Sequence, residues 1–201
     1  MLNYIDIAAA PGPFISDKVM IIMHGRGDVK ESFIPFCREL NMTGMSYRLL
    51  DAPEAFSFGY SWYPLPPEPP FQAISHSIEL IMEQVKNVGV KSENIFLCGF
   101  SQGGALALEV AMQTKQKFAG IIALSPRIFL RKEILDSSYE SIDAYIAHGI
   151  HDDMIPFEET FNGVNELKKR QMKLKFSKFE MGHEIDILEV LELRDWLNER
   201  I

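Results

Sequence analysis

Short continuous runs of apolar residues alternate along this chain with longer segments in which apolar residues recur every three or four positions. Lys18 to Met23, Asn94 to Cys98, Ala119 to Leu124 and Ile142 to Ala147 are of the first kind, and Ser46 to Leu50 can make another strand. Such runs suit strands covered on both faces, as in a parallel sheet. Between them, Phe33, Phe36, Cys37 and Leu40, then Ile74, Ile78, Ile81, Val85 and Val88, then Phe157, Phe161, Val164 and Leu167 each mark one face of a helix. Met172, Leu174 and Phe176 alternate with Lys173 and Lys175, which predicts a half-solvated strand near a sheet edge. A last helix is expected from Glu184 to Arg200, with Leu188, Leu191 and Trp196 on its apolar side. The alternation predicts an α/β protein, a doubly wound and mostly parallel sheet with helices on both faces. With no internal repeat, the 201 residues are expected to form a single domain spanning 1–201.

The pattern breaks between Ala55 and Pro70. Phe56, Phe58, Tyr60, Trp62 and Tyr63 crowd into eight positions, and prolines fill much of Pro64 to Pro70. Prolines cannot donate to a ladder, so the cluster predicts a stiff, extended surface loop. The aromatic residues before it suit either a satellite cluster packed under that loop or an apolar wall beside a binding site.

Composition narrows the partners. A formal net charge of −8 disfavours nucleic acid and anionic membranes, whose phosphates it repels. Only Cys37 and Cys98 are present, too few for a disulfide framework, and Cys98 within an apolar run reads as a small buried hydrophobe. Met1 to Pro13 lacks the basic start and long apolar run of a signal peptide, despite Ala8-Ala9-Ala10. The expectation is a cytoplasmic protein without stable membrane association.

Against that background one stretch carries chemistry. In Cys98-Gly99-Phe100-Ser101-Gln102-Gly103-Gly104 a predicted strand turns sharply into a predicted helix. The glycines two residues either side of Ser101 remove Cβ atoms that such a turn would force into contact. The serine oxygen is then pushed clear of the sheet, and the Gln102 amide opens a helix, where it can stabilise a developing oxyanion. Other predicted strands also end in polar loops: His24-Gly25-Arg26-Gly27-Asp28, His148 to Pro156, and Glu180 to His183. In parallel sheets such loops share one rim.

A serine hydroxyl needs a base to take its proton and an acid to orient that base. Asp152 and His183 each lie just past a strand, in the order serine, aspartate, histidine. His24 and His148 precede glycines at strand ends and also fit a loop-pinning role; His76 falls on a helix surface. His148, His151, Asp152 and Asp153 form a second candidate, a metal site, although four ligands in one short loop do not converge easily.

His24 to Asp28, Gly99 to Gly104, His148-Gly149 through Asp152 to Pro156, and Met181-Gly182-His183 together resemble the phospholipase/carboxylesterase family of α/β-hydrolases, which includes acyl-protein thioesterases. The resemblance spans roughly residues 18 to 200. It implies an α/β-hydrolase fold without a large lid domain, with Ser101 as nucleophile, His183 as general base and Asp152 as its orienting acid. It further implies an oxyanion hole from the backbone N–H groups of Arg26 and Gln102, and no cofactor or metal. A serine esterase follows, with acyl-thioesters and lysophospholipids as further candidate substrates; the proline-stiffened aromatic segment, with Trp62, Tyr63 and Tyr60 as substrate-binding residues, separately suggests a short apolar wall and small-molecule carboxylic esters of short to medium acyl chains. Arg26 stands where a hydrophobic residue is common, Asp153 where proline is common, and Pro64 where an acidic residue follows the aromatic pair. The competing reading is a catalytically silent binding protein on the same fold.

Overall fold

The computed structural model describes residues 1–9, 17–65 and 71–201. Among these residues nine strands and six α-helices follow one another as β1 (Tyr4–Ile7), β2 (Lys18–Met23), α1 (Ile34–Leu40), β3 (Met45–Leu50), β4 (Glu54–Phe56), β5 (Gly59–Ser61), α2 (Phe71–Asn87), β6 (Ile95–Phe100), α3 (Gln102–Thr114), β7 (Gly120–Leu124), α4 (Lys132–Leu135), β8 (Asp143–Gly149), α5 (Phe157–Lys169), β9 (Lys173–Phe179) and α6 (Ile187–Asn198). Seven of the strands make one sheet in the order β1-β3-β2-β6-β7-β8-β9. All its pairings are parallel except β1 with β3.

The continuous apolar runs are explained by what covers them. Along β2, Val19, Ile21 and Met23 face one buried cluster, shared with Ile74, Ile81 and Val85 of α2, Leu106 and Val110 of α3, and Val164 of α5. Met20 and Ile22 face the other, with Phe36 and Leu40 of α1 and Val190, Leu193 and Leu197 of α6. The same alternation holds in β6, β7 and β8, so both faces of the central strands are removed from water. This is the doubly wound α/β-hydrolase arrangement, with β9 at the edge that its lysine alternation predicts.

Two local readings are revised. The segment read as unpatterned contains the β4–β5 hairpin, with Glu54 opposite Ser61 and Phe56 opposite Gly59. Of the proline cluster, residues 66–70 lie outside the described residues. The apolar side of α6 consists of Val190, Leu193, Trp196 and Leu197, whereas Leu188 and Leu191 are exposed. The helix also turns Glu189 inward.

Glu189 is fully buried, and no cation pairs with it among the described residues. Burial, with the nearby carboxylates of Asp186 and Glu192, pushes its carboxyl from an ordinary 4.5 up to about 8. The folded protein keeps this proton over a range in which the unfolded chain has released it, so wild-type stability falls as pH rises between these values. Glu189→Gln is therefore expected to melt above wild type by a margin that widens from about pH 4.5 to about pH 8. The widening amounts to a few kcal/mol, since each pH unit in that window contributes roughly 1.4 kcal/mol. A margin that does not change with pH in parallel melts would show that the buried carboxyl is not neutral.

Candidate active site

Ser101 links the central strand β6 to α3 with φ 53° and ψ −114°, a left-handed conformation that costs a non-glycine residue on the order of 1–3 kcal/mol. Close packing holds it there. A Cβ on Gly99 would overlap the Gly103 backbone, and one on Gly103 would overlap the Met23 carbonyl at the end of β2. The Ser101 N–H donates to the Leu124 carbonyl at 2.8 Å. The turn is thereby pressed against the ends of both neighbouring strands, next to the His24–Asp28 loop.

Two further loops reach the serine from the ends of β8 and β9. A Cβ on Gly149 would overlap the carbonyls of Met181 and Gly182. The N–H groups of Ile150 and His151 donate to the carbonyls of Phe179 and Met181, at 2.9 and 3.0 Å. These stitches bring His183 against Asp152. His183 Nδ1 lies 2.6 Å from Asp152 Oδ2, and His183 Nε2 lies 2.8 Å from Ser101 Oγ.

Asp152 Oδ1 accepts the backbone N–H groups of Met154 and Ile155, at 2.9 and 2.8 Å. Burial works against ionisation of this carboxyl, but the bonds from Ile155, His183 and Met154 outweigh it and hold its pKa below the usual carboxylate value. A second imidazole, His148, lies on the same carboxylate, with Nε2 3.2 Å from Oδ2. Its Nε2–H donates to the Ile155 carbonyl at 2.9 Å. Burial lowers the His148 pKa against the pull of Ile155 and Asp152, so this ring is neutral near pH 7 and leaves the Asp152 charge to His183. His24 is also buried; Nδ1 lies 2.6 Å from the Gly25 carbonyl and Nε2 accepts the Ala52 N–H at 3.1 Å. Both histidines thus pin loops.

The metal-site candidate comes apart in space. His148 and Asp152 are buried, while His151 is exposed and paired with Glu180 at 3.0 Å. Among the described residues, no group of three or more such side chains converges as metal ligands.

Arg26 and Gln102 lie on either side of the serine. Gln102 opens α3, where the first N–H groups of a helix lack intrahelical acceptors. In the facing loop, Gly27 N–H donates to the Tyr60 carbonyl at 2.7 Å and Asp28 N–H to that of Gly25 at 3.3 Å. The Arg26 N–H has no acceptor among the described residues.

The 60–63 segment spans these two loops. The Trp62 indole N–H donates to the His24 carbonyl at 2.9 Å, and the Trp62 backbone N–H to Gln102 Oε1 at 2.9 Å. Gln102 Nε2–H returns to the Tyr63 carbonyl at 2.6 Å. Trp62 is therefore not an exposed wall residue: it is 1 % accessible, because a buried indole places its N–H on an acceptor and its ring in the core.

A cavity of about 380 Å³ opens beside Ser101 and His183. Of the three residues expected to bind substrate, Tyr63 lines it; Trp62 lies behind it, and Tyr60 borders a separate depression near Leu2 and His76. Phe58, at the hairpin turn, is fully exposed. The remaining apolar lining comes from Phe56, Leu65, Phe100, Phe129, Met154 and Ile155, with Arg26 and Arg127 as its cations. The sequence reading missed Arg127, Phe129, Met154 and Ile155. Their signal was positional, since each lies in a loop following a parallel strand.

Comparison with known proteins agrees with this architecture. Carboxylesterase SOBER1 of Arabidopsis thaliana is 30% identical over 156 residues, covering 70% of this chain and 68% of that protein. Acyl-protein thioesterase 1 of Neurospora crassa is 30% identical over 136 residues, covering 65% of this chain and 54% of its relative, about half its length. The crystal structure of esterase PE8 superposes with a TM-score of 0.88 at 19% identity, covering 100% of this chain and 99% of the other, a likeness of fold. A family model described as phospholipase/carboxylesterase matches residues 14–201, nearly the whole sequence, and the chain accordingly belongs to that family.

Proposed function

We propose that this protein is a serine hydrolase, acting as a single domain on carboxylic esters of short to medium acyl chains or the corresponding thioesters. The observation that carries this reading is the unbroken contact from Asp152 through His183 to Ser101 at the mouth of an apolar cavity. Ser101 Oγ attacks the acyl carbon while His183 Nε2 accepts its proton, and Asp152 holds Nδ1–H and offsets the imidazolium charge. The oxygen that becomes negative is received by the N–H groups of Arg26 and Gln102. Collapse breaks the ester bond, and His183 delivers the proton to the departing alcohol or thiol. Water, deprotonated by His183, then attacks the acyl-enzyme, releasing the acid and restoring Ser101. No step calls for a cofactor.

A fluorophosphonate probe is expected to modify Ser101, found by peptide mass mapping, and p-nitrophenyl butyrate to be turned over with a chain-length preference that levels off where the cavity ends. Each methylene contributes roughly 0.8 kcal/mol only while protein covers it. An unlabelled protein without turnover would instead mark a silent binding module.

A further inference from the structure

The cleft on either side of His183 is unequal in charge. The cavity that contains Ser101 also contains Arg26, whose guanidinium lies 4.0 Å over the Phe56 ring. Among the described residues no carboxylate pairs with it. Two other charged side chains face this cavity, and both are engaged. Arg127 is paired with Glu159, Nε to Oε1 at 2.8 Å. Asp28 accepts the Val29 N–H at 2.8 Å and the Ser32 hydroxyl at 2.7 Å. Beyond His183 and Phe100, a second depression is bordered by Asp28, Glu39, Glu184 and Asp186, with no lysine or arginine among the described residues.

The two depressions correspond to the two halves of an ester. The first holds Ser101 and Gln102, so it receives the acyl group; the second lacks both and meets the first at Asp28, Phe100 and His183, on the side where a leaving group takes its proton. An arginine stacked on an aromatic ring keeps a fixed orientation, and its planar fork matches a carboxylate. In a protein of net charge −8, a cation with no paired carboxylate among the described residues thus lies beside the nucleophile, in a cavity that also holds the Asp28 carboxylate.

Resting on the hydrolase reading above, we propose that Arg26 selects acyl groups carrying a terminal carboxylate, so that half-esters of short dicarboxylic acids are preferred substrates. The chain between the two carboxyl carbons lies against the apolar lining of the same cavity, and the free carboxylate meets Arg26 at the exposed rim. The acidic second depression disfavours the opposite arrangement, a negative leaving group, by like-charge repulsion.

The test compares mono-4-nitrophenyl adipate with 4-nitrophenyl hexanoate, which have the same acyl length and differ in the terminal carboxylate. The wild-type ratio of kcat/KM, charged over neutral, is expected to exceed one and to shrink as salt is added. Arg26→Met is expected to lower the ratio roughly tenfold, the size of one exposed charge-assisted contact, and Arg26→Lys to lower it less. Any effect of these substitutions on the Arg26 backbone amide is common to both esters and cancels in the ratio. A wild-type ratio at or below one, or an Arg26→Met ratio equal to wild type, overturns the proposal. Fluorophosphonate labelling of the wild type separates this failure from that of the hydrolase reading: labelled protein without charge preference sinks only the role of Arg26, and protein that neither labels nor hydrolyses either ester sinks both.

Discussion

Ser101→Ala is expected to reduce ester turnover to about one ten-thousandth of wild type or less and to abolish fluorophosphonate labelling. Only the Oγ atom is removed. Alanine retains the Cβ, so the left-handed turn at φ 53° carries the same strain, and the close contacts of Gly99 and Gly103 with their neighbours are untouched. The thermal melt should therefore stay close to that of the wild type. His183 then has no hydroxyl to deprotonate, and what activity remains comes from substrate binding and the two amide donors. Labelling of the alanine variant at the wild-type rate would place the nucleophile elsewhere.

The second large effect is expected at the acid. Asp152→Asn should lower kcat by about 10⁴, and Asp153→Asn should leave it close to wild type. Oδ2 of Asp152 holds the Nδ1 side of His183 at 2.6 Å. An amide nitrogen there would favour the tautomer with its proton on Nε2, the atom that must accept one from Ser101. The other side-chain atom of the asparagine can still accept the N–H groups of Met154 and Ile155, so the loop keeps its shape and the loss falls on chemistry. Asp153, one residue on, is exposed and makes no contact with the imidazole. Steady-state kinetics of the two variants checks this, and the reverse ranking would move the orienting role to Asp153.

What the sequence disclosed depended on how local the signal was. Ser101, Asp152 and His183 each follow a strand by one to four residues, and strands buried on both faces are legible as continuous apolar runs. Parallel pairing then brings their ends to one rim without any further information. The hairpin was opaque because its strands are three residues each, too short for period-two alternation to register. The inward face of α6 was misjudged because Leu188 and Leu191 satisfy the helical period as well as Val190 and Leu193 do. The deciding factor was the phase set by packing on β8 and β6, which also carries Glu189 inside. The cavity wall was hidden for a different reason: Phe56 and Phe100 end strands β4 and β6 while Tyr63, Phe129 and Ile155 lie in separate loops, and no window of the sequence contains them together. Trp62 shows the converse, an aromatic neighbour of a lining residue that itself faces the core.

The Trp62–Gln102 cross-link has a kinetic meaning. One short segment is fastened both to the loop that carries the Arg26 amide and to the turn that carries the Gln102 amide, through bonds internal to the protein and independent of any substrate. In the proposed mechanism the two anion-receiving amides are thereby tied to one segment before any substrate arrives. In that mechanism affinity for the acyl group is not needed to assemble these donors, so discrimination between substrates is expected to follow their fit to a standing shape.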